Sequence, residues 1–191
     1  MTSQLQGRKI AVLAADGVEQ AELVEPVRAV RDAGAEVVIL SLESGTIQAY
    51  EHDVEPADTF DVDVVVSSAD PADYDGLVLP GGTTNPDHLR MDDGAVSFVK
   101  RFVESGKPVG VICHGPWTLA TADVVRGRTL TSWPSLRTDL VNAGATWVDE
   151  EVVIDGGLIS SRNPGDLPAF CATLVSEFSR GSVAAGAGPR T

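Results

Sequence analysis

Short apolar runs rich in β-branched residues, alternating with helical patterns, limit the fold of this chain more than any other feature. KIAVLAA at 9–15 and VVILSL at 37–42 are two such runs, with a helical segment between them. That order is a βαβ opening, which requires parallel strands joined by a crossover helix. The helix is expected over 22–33, with Leu23, Val27 and Val30 on one stripe, Gly34 as its stop, and Pro26 in its first turn or kinking it. GLVLP at 76–80 reads as a buried strand running into Gly81-Gly82, where the backbone can approach a ligand closely. A loop is expected over 83–90.

The clearest helix is 92–105, because Ala95, Phe98, Val99, Phe102 and Val103 recur at helical spacing and Gly106 with Pro108 ends it. A strand at 109–112 follows directly. Cys113-His114-Gly115-Pro116 then opens a helix through Trp117, Leu119 and Ala120, with Pro116 suited to the first helical position. Further on, the pattern predicts a strand near 128–131, a helix over 135–143 and a hairpin over 151–161 turning at Asp155-Gly156-Gly157. A last helix is capped by Asn163, Pro164 and Asp166 and carries Leu167, Phe170, Leu174 and Phe178 on its buried face. Residues 45–68 read as small edge strands and turns.

A length of 191 residues suits one core and rules out a second large domain. The expected organisation is a flexible N-terminus over 1–7, a single domain over 8–180 and a disordered tail over 181–191. Fourteen basic residues against 28 acidic ones leave a net charge of −14, which repels phosphate backbones and anionic lipid. Nucleic-acid binding and membrane association are therefore not expected; no apolar run approaches the ~20 residues needed to span a bilayer and residues 1–10 lack an apolar signal core, so a cytoplasmic location is expected.

The chain has two cysteines. Cys113 stands where a buried strand meets a helix, so unsatisfied helix N–H groups would favour its thiolate. A nucleophile or redox centre is the reading preferred there over a packed thiol. Cys171 falls on or beside the apolar stripe of the last helix and reads as packing. The Gly81-Gly82 amides emerge at the same sheet edge as Cys113, either as oxyanion donors or as a simple tight turn. Glu19, just past the first strand, is either a carboxylate that meets the thiol or a surface acid at a helix start. His52, His88 and His114 lie in unrelated contexts, so no metal site is expected.

These segments together resemble the PfpI/ThiJ family, the intracellular cysteine peptidase and deglycase group of the class I glutamine amidotransferase-like fold. The resemblance runs through AADGVEQAEL (14–23), VLPGG (78–82), SGKPVGVICHGP (105–116) and RGRTLTS (126–132). It continues through NAGA (142–145), WVDEEVVIDG (147–156) and SSRNPGDLPAF (160–170). It implies a three-layer α/β/α sandwich with a mostly parallel, flavodoxin-like sheet and a nucleophile elbow, assembled as a homodimer or homohexamer. It matches Cys113 to the nucleophile, His114 to the histidine beside it, Glu19 to the acid bonded to the thiol, and Gly82 with the His114 amide to the oxyanion donors. Asp87 matches an acid that completes a Cys-His-acid triad from a neighbouring subunit.

The activity so implied is deglycase or glyoxalase action, without cofactor, on methylglyoxal-like dicarbonyls or their protein and nucleotide adducts. An intracellular cysteine peptidase and a redox-sensing or chaperone-like stress protein are the alternatives. A glutamine amidotransferase is disfavoured, because Val111 replaces the first glycine of that group's signature and the histidine adjoins the cysteine.

Overall fold

A computed structural model describes residues 3–181. The chain runs through β1 (Lys9–Leu13), β2 (Val18–Glu19), α1 (Gln20–Asp32), β3 (Glu36–Ser41), β4 (Thr46–Glu51), β5 (Glu55–Asp61) and β6 (Val64–Val65). It continues with β7 (Gly76–Leu79), α2 (Thr84–Met91), α3 (Asp93–Glu104), β8 (Val109–Ile112), α4 (Pro116–Thr121) and β9 (Thr129–Leu130). The last elements are α5 (Arg137–Asn142), β10 (Thr146–Trp147), β11 (Val152–Asp155), β12 (Leu158–Ser161) and α6 (Leu167–Arg180).

Seven strands form the central sheet in the order β11-β12-β8-β7-β1-β3-β6. Every neighbouring pair is parallel except β11 with β12, which form the antiparallel hairpin at one edge. Successive strand residues point to opposite faces, and the apolar runs therefore feed two cores. Ala11 and Leu13 of β1, Leu77 and Leu79 of β7, and Val109 and Val111 of β8 pack on one face with Phe98 and Phe102 of α3 and Leu119 of α4. Ile10 and Val12, Val78 and Ile112 face the other core, where α1 supplies Leu23, Val27 and Val30 and α6 supplies Phe170, Leu174 and Phe178. The three-layer, mostly parallel sandwich expected from the sequence is what the chain forms.

Three local readings change. The expected loop over 83–90 is largely helical, as α2 (Thr84–Met91). The 45–68 stretch holds a well-formed β4–β5 hairpin that joins β2 in a separate three-stranded sheet, with β6 extending the main one. Residues 3–8, ahead of β1, are docked rather than loose: Leu5 is fully buried and its N–H donates to the Ala33 carbonyl at 2.8 Å. A side chain that apolar is held by burial even in a segment with no regular element. The predicted tail, apart from Gly181, lies outside the described residues. No described helix is long and apolar enough to cross a membrane.

Candidate active site

Three strands end side by side, and their carboxyl ends carry the site: β1 leads to Gly17 and β2, β7 to Gly81-Gly82, and β8 to Cys113. Cys113 is 6 % exposed and has φ of 61°, a left-handed conformation that costs a non-glycine residue of order 1–3 kcal/mol. Its own backbone holds it there, because Cys113 N–H donates to Ser161 at the end of β12 at 3.1 Å and its carbonyl accepts from Trp133 N–H at 2.9 Å. Gly115 permits the tight turn into α4, since a Cβ there would lie 2.7 Å from the Leu79 carbonyl oxygen and 3.0 Å from that of Ile112. This is the elbow that the Cys-His-Gly-Pro run foretold.

The double glycine is required by contact. A Cβ on Gly81 would fall 2.4 Å from Glu22 Oε2 and 2.6 Å from Cys113 Cβ, and one on Gly82 would fall 2.3 Å from the Gly17 carbonyl oxygen. Gly82 also has φ of 79°. The amides of Gly82 and His114 both interact with the Cys113 sulfur and favour its thiolate.

The acid at the thiol is Glu22 and not Glu19. Glu22 is fully buried, its Oε2 accepts the Gly81 N–H at 2.8 Å, and its carboxyl lies against the Cys113 thiol, each group shifting the other's titration. Oε1 is buried with no hydrogen-bond partner in ordinary geometry. Burial raises Glu22 to about 8, so the carboxyl is neutral at pH 7. Glu19 is diverted because its residue still belongs to β2, paired with Tyr50, and its carboxylate accepts the His52 and Asp53 N–H groups at 3.3 Å each. One helical turn later, Glu22 joins the buried face that Leu23, Pro26, Val27 and Val30 define. A carboxylate inside an apolar stripe was the available signal for it.

The thiol itself departs from the sequence expectation. Burial pushes Cys113 upward, an ionised Glu22 would push it further, and the Gly82 and His114 amides oppose both. A neutral Glu22 removes the second of these contributions.

His114 Nδ1 lies 3.2 Å from Cys113 Sγ, and Nε2 lies 3.4 Å from Ser135 Oγ. The ring stacks on Trp133 with centroids 5.9 Å apart and meets Trp117 at 5.2 Å. Burial lowers its pKa, opposed by the charge of Asp53, so the imidazole is held toward its neutral, proton-accepting form. Cys113, His114, Glu22 and Gly82 border a cavity of about 300 Å³. Asp87 is exposed on the first turn of α2 and does not line that cavity. Cys171 is half-buried against the core formed by α1 and α6, and burial raises it to about 11. Among the described residues no cluster of three or more potential ligands could hold a metal.

Asn85, taken as part of a loop in the sequence, organises the site from below. It is fully buried, accepts Ala15 N–H at 2.7 Å, and donates to the Pro80 and Gly81 carbonyls at 3.0 and 2.9 Å. It thereby ties the end of β1 to the glycine turn. Asn85→Ala strands the Ala15 N–H and the Pro80 carbonyl, while the Gly81 carbonyl keeps the Glu19 N–H, so a loss of about 3 kcal/mol is expected, read as a lower urea midpoint at unchanged slope.

Comparison with known proteins places this geometry in context. Residues 8–177 match the family described as DJ-1/PfpI. The Escherichia coli "Protein/nucleic acid deglycase 2" is 44% identical over 165 residues, covering 85% of this chain and 93% of that protein. The Bacillus subtilis "Putative cysteine protease YraA" is 43% identical over 163 residues, covering 85% and 94%. Among solved structures, Drosophila melanogaster DJ-1beta aligns with a TM-score of 0.80 at 29% identity over 90% of both chains.

Proposed function

The chain belongs to the DJ-1/PfpI family, and we propose that it is a cysteine-dependent deglycase with glyoxalase-type chemistry on methylglyoxal and its adducts. One observation carries the reading: a buried, protonated Glu22 and a neutral His114 flank the same sulfur, beside two converging amides. An acid and a base on one thiol are what a proton-shuffling rearrangement needs, and neither requires a metal or cofactor. The names carried by relatives support the same class of enzyme.

With free methylglyoxal, Cys113 sulfur adds to the aldehyde carbon, an S–C bond forms, and the carbonyl π pair moves to oxygen. The Gly82 and His114 amides hold that oxygen while it takes a proton from Glu22, whose carboxylate takes up the thiol proton in turn. His114 takes the C1 proton of the resulting hemithioacetal and returns it to C2, while the C1 hydroxyl proton passes to the C2 oxygen, giving a lactoyl thioester. Water cleaves the thioester to lactate and restores the thiol. With an adduct, the sulfur displaces the substrate nitrogen at the same carbon: S–C forms, C–N breaks, and nitrogen leaves as the free amine after taking a proton.

Asp87 is exposed on α2, and in a homodimer or homohexamer it would be the acid offered to His114 of a second copy. That arrangement would complete a Cys-His-acid triad, and the 3.2 Å Cys113–His114 contact is the pair a cysteine peptidase uses. The test treats the metal-free protein with methylglyoxal, with a methylglyoxal-modified blocked arginine amide, and with casein. Stoichiometric release of lactate and unmodified arginine amide is expected. Casein cleavage with no lactate would replace the deglycase reading by the peptidase one.

A further inference from the structure

Above the sulfur the cavity is walled by the tip of the β4–β5 hairpin, and the tip is built at a cost. His52 and Asp53 have φ of 55° and 65°, two successive non-glycine residues in the left-handed region. The buried Glu19 carboxylate accepts both of their amides at 3.3 Å, and Asp53 Oδ1 accepts Thr83 N–H at 2.7 Å, which locks the tip to the glycine turn. Strain of this kind persists where the surrounding structure over-determines it, and here it fixes a carboxylate on the rim of the reaction cavity.

The charge of that wall is one-sided. Glu19 and Asp53 line the cavity beside the neutral Glu22, and neither lysine nor arginine does. The adjoining depression repeats the pattern, adding Glu25 and Glu51 to Glu19. Trp133, with 40 % of its surface exposed and its ring stacked on His114, lines the same cavity. Carboxylates and an accessible indole lining one cavity form a setting for a planar cation, since a guanidinium pairs with the first and stacks on the second.

We infer that Asp53, held by Glu19, is a specificity-determining residue that makes the cavity select adducts on cationic groups, foremost the guanidinium of arginine in proteins, and turn away phosphate-bearing adducts. The inference rests on the deglycase reading for its chemistry but not for its charge preference. A methylglyoxal adduct of arginine keeps the planar cation beside the reacting carbon, whereas a nucleotide adduct brings phosphate toward Glu19 and Asp53. The net charge of −14 acts in the same direction at longer range.

Two measurements test it. In the first, kcat/KM is compared for methylglyoxal adducts of blocked arginine amide and of guanosine monophosphate, in the natural protein and in Asp53→Asn. The intrinsic reactivity of each adduct cancels between the two proteins, and asparagine can still accept from Thr83 N–H. The arginine-to-nucleotide ratio is expected to fall about ten-fold in the variant, and to shrink in the natural protein as salt is raised.

In the second, Trp fluorescence of Cys113→Ala protein is titrated with blocked arginine amide, its neutral citrulline counterpart and blocked glutamate amide, with no turnover involved. Arginine amide should bind at least about five-fold more tightly than citrulline amide. Ratios within two-fold of each other in the two proteins, or arginine amide binding undetectably or no better than citrulline, would overturn the inference. Absence of turnover of either adduct, with arginine amide still preferred, would instead remove the deglycase reading and leave the charge selection standing.

Discussion

Cys113→Ala abolishes turnover of methylglyoxal and of its adducts, a loss expected to exceed about 10³-fold in kcat/KM, with the protein still folded. The expectation follows from where the sulfur stands. The thiol meets His114 Nδ1, the Glu22 carboxyl and the two amides at one point, and alanine leaves all four with nothing to act on. Cys113→Ser should lose nearly as much, because a hydroxyl in the same buried position is far harder to ionise.

Stability should move little in either variant, since the strained backbone at φ of 61° is retained and only one small side chain changes. A thiol that served packing would give the opposite pattern, with a destabilised protein and unchanged lactate release. Lactate release from equal amounts of folded protein, alongside a urea titration, separates the two. Retained activity in Cys113→Ala would sink the nucleophile assignment.

How far the sequence foretold this arrangement depends on the range of the forces involved. Strands β1, β7 and β8 were legible because burial on both faces leaves a continuous apolar run, and the elbow was legible because Cys-His-Gly-Pro compresses strand end, turn and helix start into four neighbouring residues. The buried acid was misplaced by one helical turn. Glu19 and Glu22 both follow the first strand, and only the register of α1, set by packing of Leu23, Val27 and Val30, decides which carboxylate turns inward. Helix α2 was hidden because Thr83-Thr84-Asn85-Pro86 carries turn-forming residues, and it is Asn85, bonded to chain 70 residues away, that fixes the segment. The Asp53 wall was illegible, since it depends on a hairpin from a separate small sheet folding back over the main one.

Glu22→Gln is the variant in which stability and activity should move in opposite directions. The folded protein holds the Glu22 proton up to about pH 8, whereas an unfolded chain releases it near 4.5. Between those values the native state binds the extra proton, so wild-type stability falls as pH rises and the decline ends above about 8. At ~1.4 kcal/mol per pH unit, the buried carboxylate costs about 5 kcal/mol by pH 9. Glutamine cannot ionise, and its carbonyl can still accept the Gly81 N–H. Glu22→Gln should therefore match wild type near pH 4, and exceed it by several kcal/mol at pH 9 in urea denaturation.

Turnover should fall about 10²–10⁴-fold, because the amide cannot deliver a proton to the oxyanion formed at Cys113. The wild-type pH–rate profile should decline above about pH 8 as Glu22 ionises. That limb should be missing from the residual activity of the variant. A carboxyl that merely filled space would reproduce the stability change, yet leave both the rate and its alkaline limb intact.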